Sequence, residues 1–156
     1  MSDSTRDYLQ SIERYPLLTA TQEIELSRKV RLYMELRQLD GERTAKEKRQ
    51  IKAGLKARDA IVNCNLRLVI HIAKRYTSRL RDSNMQMIDL VQEGAIGLQR
   101  AAEKFDYERG YKFSTYAYWW IRQALARAID SKLRLIKLPQ NIINSANKAR
   151  RLESEF

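Results

Sequence analysis

A long stretch without proline most constrains the fold of this chain. The sequence contains two prolines, Pro16 and Pro139, and none between them. Proline breaks helices because it lacks an amide hydrogen and clashes with the preceding turn. Apolar residues in the stretch recur at helical spacing, and no segment alternates apolar and polar residues for long enough to predict a strand. We therefore predict an all-α fold, a compact bundle of several helices preceded by a pair of N-terminal helices.

The N-terminal pair is predicted from local signals. Residues 4–15 can form the first helix. Thr19 and Gln22 have the spacing of a capping box, in which each side chain binds a free amide at the start of a helix. The second helix is predicted to begin there and to continue to about Leu39, where the Asp-Gly pair at 40–41 favours a turn.

The chain is strongly basic, with 30 Lys and Arg residues, 19 Asp and Glu residues and a net charge of +11. This charge predicts a polyanionic partner: nucleic acid, an acidic protein or an anionic membrane. Residues 43–58 include seven basic residues and one acid, Glu47. This segment is interpreted as a solvated helix or linker, with a dedicated binding patch as the alternative.

Composition argues against several other classes of protein. There is no apolar run of about 18 residues and no N-terminal signal pattern, so we expect a cytoplasmic protein with no membrane partner. A single Cys64 cannot form an internal disulfide, and with a single His71 it cannot form a Cys/His zinc site. No phosphate-binding loop or nucleophile–base pair indicates an enzyme, and neither a metal nor a cofactor is predicted.

Aromatic residues are concentrated in one basic stretch. Eight of the 13 Phe, Trp and Tyr residues lie between Phe105 and Trp120, interleaved with lysine and arginine. Rings beside cations suit unpaired bases, because each base presents a π-face and its phosphate a negative charge. A core packed with rings is the alternative. Helical spacing of Ala117, Ile121 and Leu125 defines a buried side. The residues predicted opposite it are Trp119, Tyr116 and Gln123, with Trp120 at the edge of the core.

The preceding predicted helix has an acidic face. Its apolar stripe runs through Val91, Gly94 and Leu98. The residues opposite are Asp89, Gln92, Glu93, Ile96, Arg100 and Glu103. Acidic residues should repel a phosphate backbone, and an exposed Ile96 suits a docking protein; an ordinary solvated face is the alternative. We expect a protein-binding face separate from the DNA-binding face.

Three stretches share a long, ordered pattern: NLRLVIHIAKRYT (65–77), DLVQEGAIGLQRA (89–101) and KFDYERGYKFSTYAYWWIRQALAR (104–127). They closely resemble region 2 of the sigma-70 family of bacterial transcription initiation factors. Residues 3–30 are similar to region 1.2 of that family. The resemblance implies region 1.2-like helices over 1–40, a basic helical linker over 41–58, region 2 over 59–138 and a truncated start of region 3 over 139–156.

The resemblance also implies partners and roles. The partners are core RNA polymerase, promoter DNA at the −10 element and, as an open question, an anti-sigma factor. The implied polymerase-docking residues, for the β′ clamp helices, are Asp89, Gln92, Glu93 and Gln99, to which the exposed face adds Ile96. For DNA binding, the resemblance implies two base-binding sites: a pocket for a flipped adenine (Tyr116, Phe105, Arg109) and a site that captures a flipped thymine (Asn65, Leu68). It also implies a melting motif (Tyr111, Lys112, Phe113, Ser114, Thr115) and a wedge at the upstream edge of the bubble (Trp119, Trp120). Contacts with the edge of the duplex are implied for Arg122, Gln123 and Arg127, and a contact with the DNA backbone for Lys137.

Several residues depart from the family pattern, and these departures indicate which type of sigma factor to expect. Ala126 stands where a threonine is usual, and Glu108 where a basic residue is usual. Asn141 and Asn144 replace the common His and Glu of an extended −10 reader. Region 1.1, most of region 3 and all of region 4 have no counterpart. We therefore expect an alternative, primary-like sigma factor as an N-terminal fragment or truncated form. The other hypothesis is a helical single-strand-binding regulator that acts without polymerase and does not need the acidic face.

Overall fold

The computed structural model describes residues 10–12, 14–39, 41–80, 85–132, 141, 142, 145, 149, 152 and 153. Within these residues there is no strand, and the all-α prediction is confirmed. The elements are α1 (Ala20–Gln38), α2 (Ala45–Ala73), a 3-10 helix (Lys74–Leu80), α3 (Met87–Lys104), a short 3-10 helix (Tyr107–Arg109) and α4 (Phe113–Lys132). Most of the predicted first helix, all but residues 10–12, 14 and 15, lies outside the described residues, as does most of the predicted start of region 3.

Helix α1 begins as its local sequence predicts. The Thr19 hydroxyl accepts from the Gln22 amide at 3.3 Å, and the Gln22 side chain accepts from the Thr19 amide at 2.9 Å. Buried Val30 and Tyr33 face the rest of the molecule. Gly54 of α2 permits a close crossing, since a Cβ there would lie 2.8 Å from the carbonyl oxygen of Lys29.

Helix α2 is one continuous element of 29 residues. It starts with a second capping box, formed by Thr44 and Glu47. The basic segment is therefore helical and passes without a break into the apolar stripe of Ile61 and Val69. The division at residue 58 stays a prediction about sequence regions. The helix ends at Ala73, and Tyr76, which continues the predicted stripe, packs against the core from the 3-10 helix.

The core lies where α2, α3 and α4 meet. The predicted stripes are confirmed, since Val69, Leu98, Ile121 and Leu125 are 0% exposed. Each such side chain contributes roughly 1.5–3 kcal/mol by leaving water. Gly97 brings α3 close to α4: a Cβ there would lie 2.7 Å from that of Ala124.

Two further findings concern the described residues only. None of the helices combines the length and apolar character needed to cross a bilayer. No group of three or more His, Cys, Asp or Glu side chains is placed to hold a metal ion.

Candidate nucleic-acid interface

The loop between α3 and α4 has a defined shape. The Asp106 carboxylate accepts from the Glu108 amide at 3.2 Å and from Arg109 Nε at 3.1 Å. These donors, Arg109 foremost, hold the pKa of Asp106 below its usual value. Gly110 ends the turn with a φ of 73°, a left-handed conformation that glycine adopts without steric cost. The loop therefore presents Arg109 in a fixed setting beside the start of α4.

Aromatic rings extend from the core to the surface beside this loop. The ring of Phe105 lies 5.2 Å from that of Phe113, edge to face, and 5.7 Å from that of Tyr116. Tyr116 lies 6.2 Å from Trp120, and its hydroxyl donates to the carbonyl oxygen of Lys104 at 3.2 Å. Because these contacts fix both ends of the Tyr116 side chain, its ring is held in place before any ligand arrives.

These rings open onto a surface groove of about 400 Å³. Six of the predicted DNA-binding residues line it: Phe105, Arg109, Tyr111, Thr115, Tyr116 and Trp119. Trp119 is 63% exposed, as the helix geometry predicts, and Tyr111 is 70% exposed. Such exposure of large rings is typical of a binding surface. The groove has the dimensions of a small-ligand pocket, at the lower end of the usual range.

Cations lie against the rings of exposed Trp119 and half-buried Trp120. Lys104 Nζ is 5.1 Å from the ring centre of Trp120, and Arg122 Cζ is 5.7 Å from that of Trp119. Such pairs are worth about 0.5–1 kcal/mol at exposed sites. The surface therefore combines flat apolar faces with positive charge, the two features that single strands require. Lys104 and Asp106 line the groove without having been assigned a role from the sequence.

Phe113 belongs to the core, although the resemblance places it in the DNA-binding motif. It is 1% exposed and packs edge to face on Phe105, so it supports that ring from the core, and a direct contact with a strand stays a prediction. The sequence carried a signal for this position, because Phe113 lies four residues before buried Ala117 on the same helical stripe.

The remaining predicted DNA contacts are dispersed. The amide of Asn65 donates to the carbonyl oxygen of Ile61 at 2.8 Å, and Leu68 packs partly against the core. Neither residue lines the groove, so their capture of a second base stays a prediction. Lys112 and Ser114 are exposed but also outside the lining, and Lys137 lies outside the described residues.

A second groove, of about 350 Å³, runs between α3 and α4. Its lining residues are Glu93, Ile96, Gly97, Arg100, Trp120, Gln123, Ala124, Arg127 and Ser131. The two predicted faces are therefore adjacent in the structure, and their separate roles stay predictions. Ile96 of the predicted protein-binding face and Gln123 and Arg127 of the predicted DNA-binding face border one groove, because Gly97 lets the two helices pack closely.

All three acidic residues of α3 have partners within the chain. The Asp89 carboxylate accepts from the backbone amide of Gln86 at 2.8 Å, at the start of the helix. Glu103 pairs with Arg58 at 3.3 Å and also accepts from Gln99. Glu93 accepts from Lys132 and raises the pKa of that ammonium group. Of the five predicted docking residues, Gln92 and Ile96 are exposed and have no such partner among the described residues, Ile96 being 48% exposed. Docking by any of the five stays a prediction.

Helix α1 packs against the loop between α3 and α4 and supports it. No local sequence pattern predicted these contacts. Arg31 pairs with Glu108 at 3.0 Å, and this carboxylate raises the pKa of the guanidinium. Arg31 also lies over the ring of Tyr107, 5.8 Å from its centre. Glu23 accepts from the backbone amide of Phe113 at 3.4 Å, the first residue of α4. The acidic residue at 108 thus has a partner in this chain.

Comparison with known proteins gives a consistent result. The family model described as Sigma-70 region 2 matches residues 61–134, and that described as Sigma-70 factor, region 1.2, matches residues 3–36. Together they account for more than half of the chain.

Two curated relatives are similar along nearly the whole chain. RNA polymerase sigma factor SigA4 of Synechococcus elongatus is 46% identical over 156 residues, which is 99% of this chain and 49% of that protein. RNA polymerase principal sigma factor HrdD of Streptomyces viridifaciens is 44% identical, over 96% of this chain and 46% of that protein. The chain thus spans about half the length of these relatives. These matches show that the chain belongs to the sigma-70 family of RNA polymerase sigma factors.

Proposed function

We propose that this chain is the part of a cytoplasmic sigma factor that docks on core RNA polymerase and opens the promoter −10 element. In this proposal the groove captures flipped bases of the non-template strand. The observation that carries it is the meeting of Tyr116, exposed Trp119 and Arg109 in one groove of about 400 Å³. The family membership supports the same function. No chemistry is assigned to the chain itself; polymerase supplies the catalysis.

The energetics are adequate for base capture. Flipping a base out of the stack costs a few kcal/mol. Stacking on an aromatic side chain returns about 1–3 kcal/mol per base, so two rings offset the cost. In the proposal Tyr116 stacks on a flipped adenine, Phe105 and Arg109 complete its pocket, and the tryptophans hold the upstream edge of the bubble.

The second groove suits the edge of the duplex. Gln123 is exposed and can make a bidentate contact with adenine, and Arg127 can contact phosphate. Gln92 and Ile96 are then the residues that meet the β′ clamp helices of polymerase. The family models and relatives give no support to a polymerase-independent single-strand regulator.

The strand-capture role is tested with Trp119→Ala and Tyr116→Ala, each assembled with core polymerase and also alone. Affinity is measured for a labelled single strand bearing the −10 sequence and for the closed duplex. We expect a loss of about 5- to 150-fold on the single strand, the equivalent of one stacked base, and nearly unchanged duplex affinity. Tyr15→Ala, which removes an exposed ring outside the groove, is the matched control. Equal losses on both DNAs would show that stacking is not the role of these rings.

A modified probe identifies the captured base. With an abasic site in place of the flipped adenine, Tyr116→Ala should have little further effect, because the ring has no partner left. Unchanged sensitivity to the substitution would assign the ring to another position in the strand.

Docking is tested with the double variant Gln92→Ala, Ile96→Ala in a pull-down with core polymerase. Both side chains are exposed, so folding should be retained and polymerase binding lost. Leu32→Ala, at an exposed apolar residue of α1, is the control. Retained polymerase binding by the double variant would reject the assignment of this face.

A further inference from the structure

One charged surface is not used by the proposed function. Lys48, Lys52 and Lys56 lie four residues apart in the N-terminal half of α2, and all three are exposed, as is neighbouring Arg49. Residues at i, i+4 and i+8 share one face of a helix. We call these three lysines the lysine stripe. Neither groove includes any of them.

The positive charge of the stripe is not neutralised by the described residues. None of the ion pairs found among them involves a stripe lysine. The two nearest acids on α2 are already bound: Glu47 to Thr44 in the capping box, and Asp59 to Arg58 at 2.8 Å. Like charges at i, i+4 destabilise a helix. A stripe of three is therefore unfavourable for the free chain and becomes favourable when an anion lies against it.

The composition of the face distinguishes between anionic partners. Protein interfaces have apolar or aromatic centres and are depleted of lysine. No large hydrophobic residue between 45 and 58 is among the exposed ones in the described chain. Lysine commonly contacts phosphate oxygens and carries no base specificity there. Eight residues of helix span about 12 Å, a length of duplex axis that carries about seven phosphates.

We propose that the lysine stripe binds the phosphate backbone of promoter duplex outside the opened segment, without reading its sequence. The proposal builds on the proposed function, which brings duplex DNA to this chain. Lys48 precedes Ala57, the first buried core residue of α2, by nine positions, or about 14 Å of helix. Lys56 adjoins Ala57, so the stripe runs along the N-terminal part of α2 up to the point where the core begins.

The test is the triple variant Lys48→Gln, Lys52→Gln, Lys56→Gln, assembled with core polymerase. Glutamine is a good helix former, so α2 should be retained, which circular dichroism checks. Affinity for a promoter fork with a long duplex arm is measured against salt concentration. Three phosphate contacts contribute about 2.7 to the slope of log affinity against log salt concentration. Raising the salt concentration from about 50 to about 200 mM should therefore weaken the DNA binding of the parent about 40-fold more than that of the variant.

Two controls separate the outcomes. A variant with scattered exposed cations replaced, Arg14→Gln, Lys29→Gln and Lys74→Gln, should change the slope less. A short −10 single strand without a duplex arm should bind the stripe variant as it binds the parent, which separates this surface from the groove.

An unchanged slope on the duplex arm would overturn the proposal. Loss of polymerase binding with an unchanged DNA slope would also overturn it and would assign the stripe to an acidic surface of polymerase. If Trp119→Ala leaves strand binding unchanged while the stripe variant still lowers the slope, the proposed base capture fails and the phosphate-binding surface stands.

Discussion

Phe113 and Trp119 belong to the same aromatic motif, but truncating them should destabilise the fold to very different extents. Phe113 is 1% exposed and packs edge to face on Phe105 with ring centres 5.2 Å apart. Phe113→Ala should therefore lower the free energy of unfolding by about 3–5 kcal/mol, the usual cost of removing a buried phenylalanine. Trp119 is 63% exposed and contacts Tyr118 and Arg122 at the surface. Trp119→Ala should cost about 1 kcal/mol or less.

Thermal and urea unfolding, followed by far-UV circular dichroism, measure the difference. For a chain of this size each kcal/mol shifts Tm by about 2–4 °C. Phe113→Ala should thus lower Tm by about 6–20 °C, and Trp119→Ala by about 4 °C or less. Phe113→Leu keeps most of the buried apolar surface and should fall between them. The reasoning is refuted if the tryptophan variant loses as much stability as the phenylalanine variant, since both rings would then belong to the core.

Three further outcomes are expected from packing, charge and protonation. Gly97→Ala should lower the free energy of unfolding by up to about 2 kcal/mol, because crowding at the helix crossing outweighs the gain in helix propensity; urea unfolding measures this, and unchanged stability would mean that the helices separate freely. Arg31→Glu or Glu108→Arg alone should weaken single-strand binding by up to about fivefold by loosening the loop. The swapped double variant should restore affinity, and a double variant as weak as either single one would exclude the brace. Since the pKa of Asp106 is lowered in the folded state, its stabilising effect is present above the ordinary aspartate value of about 3.9 and is lost as pH falls through the lower folded value. Asp106→Asn should therefore show a shallower loss of stability below about pH 4 than the parent, and identical profiles would contradict this assignment.

Parts of the site could be predicted because they depend on local sequence. Helical spacing correctly predicted the exposure of Trp119 and of Ile96. The face of a helix on which a residue lies depends on its position relative to neighbouring residues and not on distant parts of the chain. The same rule, applied to Phe113, places it inside. The family motif was followed there in preference to the spacing, and its DNA-binding role for Phe113 stays a prediction.

Other parts depend on contacts between residues far apart in the sequence. Arg31 and Glu108 meet only because α1 packs across the loop, and Arg58 reaches Glu103 across 45 residues. The faces predicted to dock polymerase and to bind DNA border a common groove because Gly97 on α3 lets α4 approach closely. The spacing of apolar residues along the chain does not predict contacts between distant segments such as these.

The amino-acid sequence alone determined the helical class, the capping box of α1, the buried stripes and the outward tryptophan, because each depends on residues within a few turns of helix. Only the tertiary structure decided which charged groups are already paired and which rings meet in one groove. Those outcomes depend on how closely the helices pack and at what register, which is a property of the whole core.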